Sequence, residues 1–220
     1  VNREYGLTEK FAIVASDIRA HRKHTFNRTN LEVYVIGAAL IELMLNERVL
    51  VDAKGYLRIE DHAVDNTDPN FIPLVDSLLN ARKPRKLKGW IHYFYMRYRL
   101  RQTMMGSLTK SLFDEGAMAM EKRKFLYIIP YHRYVTTPEH KDPVIQRLRA
   151  ELLEDGPVTK ETAILAMMME TSQQLKVYFS GYEKSELKRK LSELHETQHE
   201  EWKNIKLIRR ALEEIEASST

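Results

Sequence analysis

The chain has 220 residues, 43% of them hydrophobic, a net charge of +4 and no cysteine. That length and composition suit a single globular domain over residues 1–220 and exclude a disulfide framework. The longest apolar run, Val33 to Ile41, falls far short of the roughly 18 to 20 residues of a spanning helix, and Val1 to Lys10 lacks the charged-then-apolar layout of a secretion signal, so a cytoplasmic protein is expected.

Leu7 to Arg19 and Leu31 to Asn46 place apolar residues at helical spacing; in the second, Leu31, Tyr34, Val35, Ala38, Ile41 and Leu45 share one stripe. Val49–Val51 and Tyr56–Ile59 flank an Asp-Ala-Lys-Gly turn and read as a short hairpin. Asp68-Pro69 is a helix start, because the carboxylate accepts orphan amides and proline tolerates the first helical position. From there one helix carries Phe71, Leu74, Val75, Leu78 and Leu79, a second runs from about Pro84 through Tyr98, and a third from Leu100 to Glu115, closed by Gly116. Ala117–Met120 and Phe125–Ile129 predict a second hairpin with apolar arms and a basic tip at Lys122, Arg123 and Lys124. Another Asp-Pro start at Asp142-Pro143 opens a helix to Leu153, followed by one from Lys160 to Phe179. In that helix Met167, Met168 and Met169 are core residues at helical spacing. The densely charged stretch 182–218 reads as an amphipathic helix, with or without an interruption, whose apolar stripe includes Leu187, Leu191, Trp202, Ile205, Ile208 and Leu212. The predicted fold is mainly α with two short β-hairpins.

Charge is distributed unevenly. Between Asp76 and Asp114 there is no acidic residue, while Arg82, Lys83, Arg85, Lys86, Lys88, Arg97, Arg99, Arg101 and Lys110 all fall there. An electropositive middle surface is one reading. The other is a set of solvated helix faces balanced in space by acids such as Glu151, Glu154 and Asp155. Within this region Trp90, Phe94 and Tyr98 repeat every four residues as a buried stripe, with Arg97 and Arg101 beside it. Cations interleaved with aromatics can also hold a nucleic-acid strand, which keeps nucleic acid as a rival partner.

The string His195-Glu196-Thr197-Gln198-His199 matches the pattern in which two histidines one helical turn apart hold zinc and a glutamate activates water. Glu200 and Glu201 follow at once, which suits a solvated helix face better than a cleft floor. His195 and His199 are therefore weak metal candidates, a zinc-dependent hydrolase is the lesser alternative, and no cofactor is expected. His21 and His24 sit in a basic stretch, and His132 and His140 are expected in a loop.

Several words of the sequence, in order, resemble the Golgi phosphoprotein 3 family over roughly residues 5–190. They are Leu7-Thr8-Glu9 before an apolar helix; Gly37-Ala38-Ala39-Leu40-Ile41-Glu42-Leu43 before the first hairpin; Leu74-Val75-Asp76-Ser77-Leu78-Leu79 leading to Pro84 and Trp90-Ile91; and Leu108 through Leu112 to Gly116 entering the second hairpin. The resemblance implies a compact helical bundle ringed by amphipathic helices, with a hairpin that inserts into a membrane or mediates self-association. It also implies binding of phosphatidylinositol 4-phosphate by a tryptophan and three arginines, and retention of membrane enzymes by their tails. Those pocket positions fall here on Asn27, Ile36, Gln102 and Met105, so none of the family's ligands is retained.

The expectation is a non-catalytic, peripheral membrane protein that binds anionic phospholipid headgroups and serves as an adaptor for membrane-enzyme tails. Candidate headgroup contacts are Arg28, Arg82, Lys83, Arg85, Lys86, Arg97 and Arg101. Candidate hairpin contacts are Met118, Met120, Lys122, Arg123, Lys124 and Phe125, with a homo-oligomer through the hairpin also expected. The central cations and the hairpin are expected to converge on one outer face.

Overall fold

The computed structural model describes residues 3–16, 28–60, 67–125, 129–154, 156–197 and 201–218, with the backbone alone at 28–30, 123, 125, 129–132, 195–197 and 201. The chain opens with α1 (Leu7–Ala15), α2 (Arg28–Leu45) and an antiparallel hairpin of β1 (Val49–Val51) and β2 (Leu57–Ile59), in which Val49 faces Ile59. A 3-10 turn (Pro69–Phe71) leads into α3 (Ile72–Leu79), followed by α4 (Leu87–Tyr95), α5 (Tyr98–Leu108) and α6 (Lys110–Asp114). The second hairpin pairs β3 (Met118–Phe125) with β4 (Ile129–Thr136). After it come α7 (Pro138–Leu153), α8 (Lys160–Thr171), α9 (Leu175–Tyr178), α10 (Gly181–Thr197) and α11 (Glu201–Ser218).

A helix apolar all round must be interior. α2 is buried at every position from Leu31 to Ile41 and is surrounded by α1, α4, α5 and α11. α8 is buried from Thr162 to Met169, and Met167, Met168 and Met169 are fully inaccessible, as core packing requires. Amphipathic helices ring these rods. α11 turns Trp202, Ile205, Ile208, Leu212 and Ile215 inward onto α2, α4 and α8, each contributing about 1.5 to 3 kcal/mol through burial. One apolar cluster runs from Leu7 to Ile215. At the entry to α1, a side chain on Gly6 would put a Cβ 2.4 Å from Glu42 Oε1, whose carboxylate is held by the Thr8 amide at 2.7 Å. Among the described residues, no helix is long and apolar enough to cross a membrane.

Several boundaries differ from expectation for identifiable reasons. The helix expected from Pro69 begins as a 3-10 turn: Pro73 has no N–H to give the Pro69 carbonyl, which accepts from Ile72 instead. The Asp142-Pro143 start is corrected, since the helix begins five residues earlier at Thr137-Pro138 and carries Pro143 inside it. The third helix breaks at Thr109, whose hydroxyl bonds back to the Met105 carbonyl at 2.6 Å, although Gly116 does supply the left-handed turn (φ 73). The last helix before the charged segment stops at Thr171, with Gln173 at positive φ. His132 lies in β4 and His140 in α7, not in a loop.

Candidate functional site

Between α3 and α4 the chain crosses the surface through Arg82, Lys83, Pro84, Arg85 and Lys86. This loop is tied to the first hairpin: the Leu57 amide donates to the Arg85 carbonyl at 3.2 Å, and Tyr56 bridges Lys86. With the backbone fixed, Arg82, Lys83 and Lys86 point into solvent, and Lys86 Nζ lies 5.7 Å from the Tyr56 ring centroid. Arg85 is half-buried, its guanidinium carbon 4.2 Å from the centroid of Tyr93 and 5.1 Å from that of Trp90.

α4 buries Leu87, Trp90, Ile91 and Phe94, then ends at Tyr95. The expected continuation through Tyr98 is corrected here. Arg97 has ψ 87, well outside the helical range, so α5 starts in a new direction and Tyr98 leaves the buried stripe to become 60% exposed. Met96 beside it is 75% exposed. Arg97 returns over the same Tyr93 ring, 3.8 Å from its centroid.

The cations divide sharply by partner. On the α11 side of α4, Lys88 lies 2.7 Å from Glu214, which also faces His92 at 3.7 Å. The Lys88 hydrogen bond leads the causes that hold the Glu214 carboxyl below its usual range. Lys110 pairs with Asp114. Among the described residues no carboxylate lies within 4.0 Å of Arg82, Lys83, Arg85, Lys86, Arg97 or Arg99. One of the acids that might have balanced them is engaged elsewhere: the Glu151 carboxylate binds Arg147 at 2.9 Å and accepts from the Thr159 amide.

Arg101 is removed from the headgroup candidates. It is 4% exposed, and its Nε donates to Glu32 at 2.8 Å while its other donors reach the Phe94 and Tyr95 carbonyls. Glu32 is itself inaccessible in the second turn of α2 and also accepts from Gln102. A buried carboxylate without a cation would carry a large desolvation cost, so this arginine balances the core. Arg28 begins α2, but its side chain lies outside the described residues, as does the whole of Asn27. The remaining family pocket positions are interior: Ile36 is 0% and Met105 1% exposed, and Gln102 is committed to Glu32.

The second hairpin also departs from expectation. Its strands pair beyond the predicted basic tip, with Lys122 opposite His132, Lys124 opposite Pro130 and Phe125 opposite Ile129, so the three basic residues lie along β3. Met118 is withdrawn as a membrane contact, since it is 2% exposed and packs into the core with Ala117 and Tyr134. Met120 (49% exposed), Lys122 and Lys124 stand in solvent, and the side chains of Arg123 and Phe125 lie outside the described residues. The base of this hairpin rests on α6 and on a 2.5 Å contact between Thr136 and Ser16, whereas the cationic loop rests on α4 and the first hairpin. The two sets of cations are thus carried by different elements. The His195 and His199 side chains lie outside the described residues.

Sequence reasoning missed Tyr93 as the platform for two arginines and Glu32 as the partner of Arg101. The second had only a partial signal: α2 carries two carboxylates in an apolar run, Glu32 and Glu42, and the latter is satisfied by the Thr8 amide and hydroxyl without a cation. Arg97 sits four residues after Tyr93, which is also legible, but the approach of Arg85 depends on the loop.

The Golgi phosphoprotein 3 (GPP34) family model matches residues 7–215. The chain belongs to that family. The match extends past the expected limit near residue 190 and takes in α11, whose Trp202 and Leu212 complete the core, so the charged C-terminal segment is part of the family fold. Comparison with curated proteins gave no match.

Proposed function

We propose that this Golgi phosphoprotein 3 family member associates peripherally with anionic membrane surfaces, from the cytoplasmic side, and performs no catalytic step. The observation that carries the reading is the set of cations around α4 that have no carboxylate partner among the described residues: Arg82, Lys83, Arg85, Lys86, Arg97 and Arg99. Each cation near an anionic leaflet contributes about 1 kcal/mol, so this face supports a salt-sensitive attraction. Electrostatics alone gives weak anchoring, and a second signal stabilises it. Met96 and Tyr98 at the elbow, between and beside the arginines, provide apolar and interfacial contact area there. Met120 with Lys122 and Lys124 offers a further contact on the hairpin. Holding the tails of membrane enzymes is the adaptor role that family membership adds to this reading.

Sedimentation with phosphatidylcholine vesicles, with and without phosphatidylserine, at low and moderate salt tests it. The wild type should pellet only with the anionic vesicles and lose affinity as salt rises. The combined Arg82→Gln, Lys83→Gln and Arg99→Gln variant should lose about tenfold or more. Equal binding to neutral vesicles, or a single-stranded DNA gel shift without vesicle binding, would overturn the assignment.

A further inference from the structure

Met96, Arg97, Tyr98 and Arg99 are four consecutive exposed residues, the longest such run among the described residues, and they lie where α4 gives way to α5. Phe94 before them and Arg101 after them are buried. The base of this elbow is held from inside. The Arg101 guanidinium donates to the Phe94 and Tyr95 carbonyls at the end of α4, and the Arg101 amide donates to the Arg97 carbonyl at 2.9 Å. The Arg97 amide reaches the Phe94 carbonyl at 3.2 Å. A single exposed apolar side chain needs no explanation. Here two large side chains alternate with two arginines that have no carboxylate within 4.0 Å among the described residues, on a backbone fixed at both ends.

We infer that this elbow enters the bilayer, Met96 leading, and that it selects loosely packed anionic membranes over tightly packed ones. The inference rests on the proposed membrane reading and adds to it the depth of contact and the kind of bilayer chosen. Methionine is unbranched and flexible, so it fills irregular gaps between acyl chains. Tyr98 carries an apolar ring and a hydroxyl suited to the headgroup boundary, and the arginines on either side of it suit the level of the phosphates. Because the bend is already held by Arg101, little backbone order remains to be imposed on insertion. A wedge of this size has too little apolar area to open a tightly packed surface, and shallow apolar insertion is sensitive to curvature and lipid composition. Charge decides the occupant: a second copy docked corner to corner would set Arg97 and Arg99 against their own counterparts, whereas an anionic leaflet attracts them. The elbow is distinct from the second hairpin, to which the family resemblance assigns insertion.

Both native tryptophans are buried, Trp90 at 2% and Trp202 at 0% exposure, so an indole introduced at the surface reports by difference. The full chain carrying Met96→Trp is mixed with phosphatidylcholine and phosphatidylserine vesicles brominated high on the acyl chains, with Met120→Trp on the hairpin for comparison. The added emission of Met96→Trp should be quenched about twofold or more, while wild-type emission changes little. Since an indole itself favours the interface, a second measurement uses the native side chain. Wild type is sedimented with vesicles of equal phosphatidylserine content whose lipids carry either two unsaturated chains or one. It should favour the doubly unsaturated vesicles by about threefold or more. Met96→Ser should bring that ratio near one, whereas Lys83→Gln should weaken both kinds of binding and preserve the ratio. Vesicle binding without quenching of Met96→Trp, quenching of Met120→Trp alone, or a chain preference that survives Met96→Ser would overturn the elbow and leave the membrane reading standing. A mass in analytical ultracentrifugation that falls on Met96→Ser would assign the corner to a contact between copies and overturn it too. Absence of vesicle binding by the wild type would overturn both readings.

Discussion

Arg101 illustrates how far burial changes the meaning of a charged residue. In sequence it belongs to the same acid-free stretch as Arg97 and Arg99, yet in the fold it lies 2.8 Å from Glu32 with both side chains almost wholly out of solvent. Removing one partner of such a pair strands the other, so Arg101→Ala should cost roughly 3 to 5 kcal/mol in a denaturant titration. The remaining folded fraction should bind anionic vesicles as the wild type does, because Arg101 contributes nothing to the outer face. A marked loss of vesicle affinity at unchanged stability would return it to the surface set. Residue periodicity could identify the stripe of Trp90 and Phe94, but it could not show that Tyr98 departs from it. That depends on one backbone angle at Arg97, in a stretch without glycine or proline to announce a bend.

At the scale of elements, the junction of α7 with α8 depends on one carboxylate. Glu151 accepts from Arg147 within its own helix and from both the amide and the hydroxyl of Thr159, the N-cap of α8. Burial pushes its pKa up, but the Arg147 and Thr159 hydrogen bonds outweigh this and bring it down to about 2 from 4.5. A depressed carboxylate pKa means that the unfolded chain binds the proton more readily. The stabilisation is therefore full above the usual carboxylate range and disappears as pH falls toward 2. Glu151→Gln should lower the denaturation midpoint at neutral pH, and the gap from wild type should close between about pH 4.5 and 2. A gap that stays constant across that interval would show that the junction does not depend on the ionised carboxylate. Most element types here were legible, because amphipathic helices and short hairpins write their periods plainly. Boundaries were less so: Asp142-Pro143 carries the same signal as Asp68-Pro69, and only the competing Thr137-Pro138 start decides which proline is first.

For the whole molecule, the distribution of charge along the chain offered a basic surface as one of two readings, and the fold determines which of those cations have partners. Glu214 on α11, Asp114 on α6 and Glu32 in α2 remove Lys88, Lys110 and Arg101 from the set, and none of these pairings is visible from local sequence except the i,i+4 contact of Lys110 with Asp114. The second hairpin, with Met120, Lys122 and Lys124 exposed, is a separate surface feature built on α6. Met120→Glu should leave thermal stability nearly unchanged and reduce anionic-vesicle binding by several-fold, since it replaces exposed apolar area with a like charge for the lipid. Unchanged vesicle binding together with a smaller mass in analytical ultracentrifugation would assign the hairpin to self-association instead.

The elbow between α4 and α5 separates the surface of this corner from the architecture beneath it. Met96, Tyr98 and Arg99 stand clear of the core, and the bend is carried by the backbone, so their identities are free to drift without disturbing the scaffold. Replacing any of the three should therefore alter the surface chemistry of this one corner while the interior that specifies the architecture stays as it is.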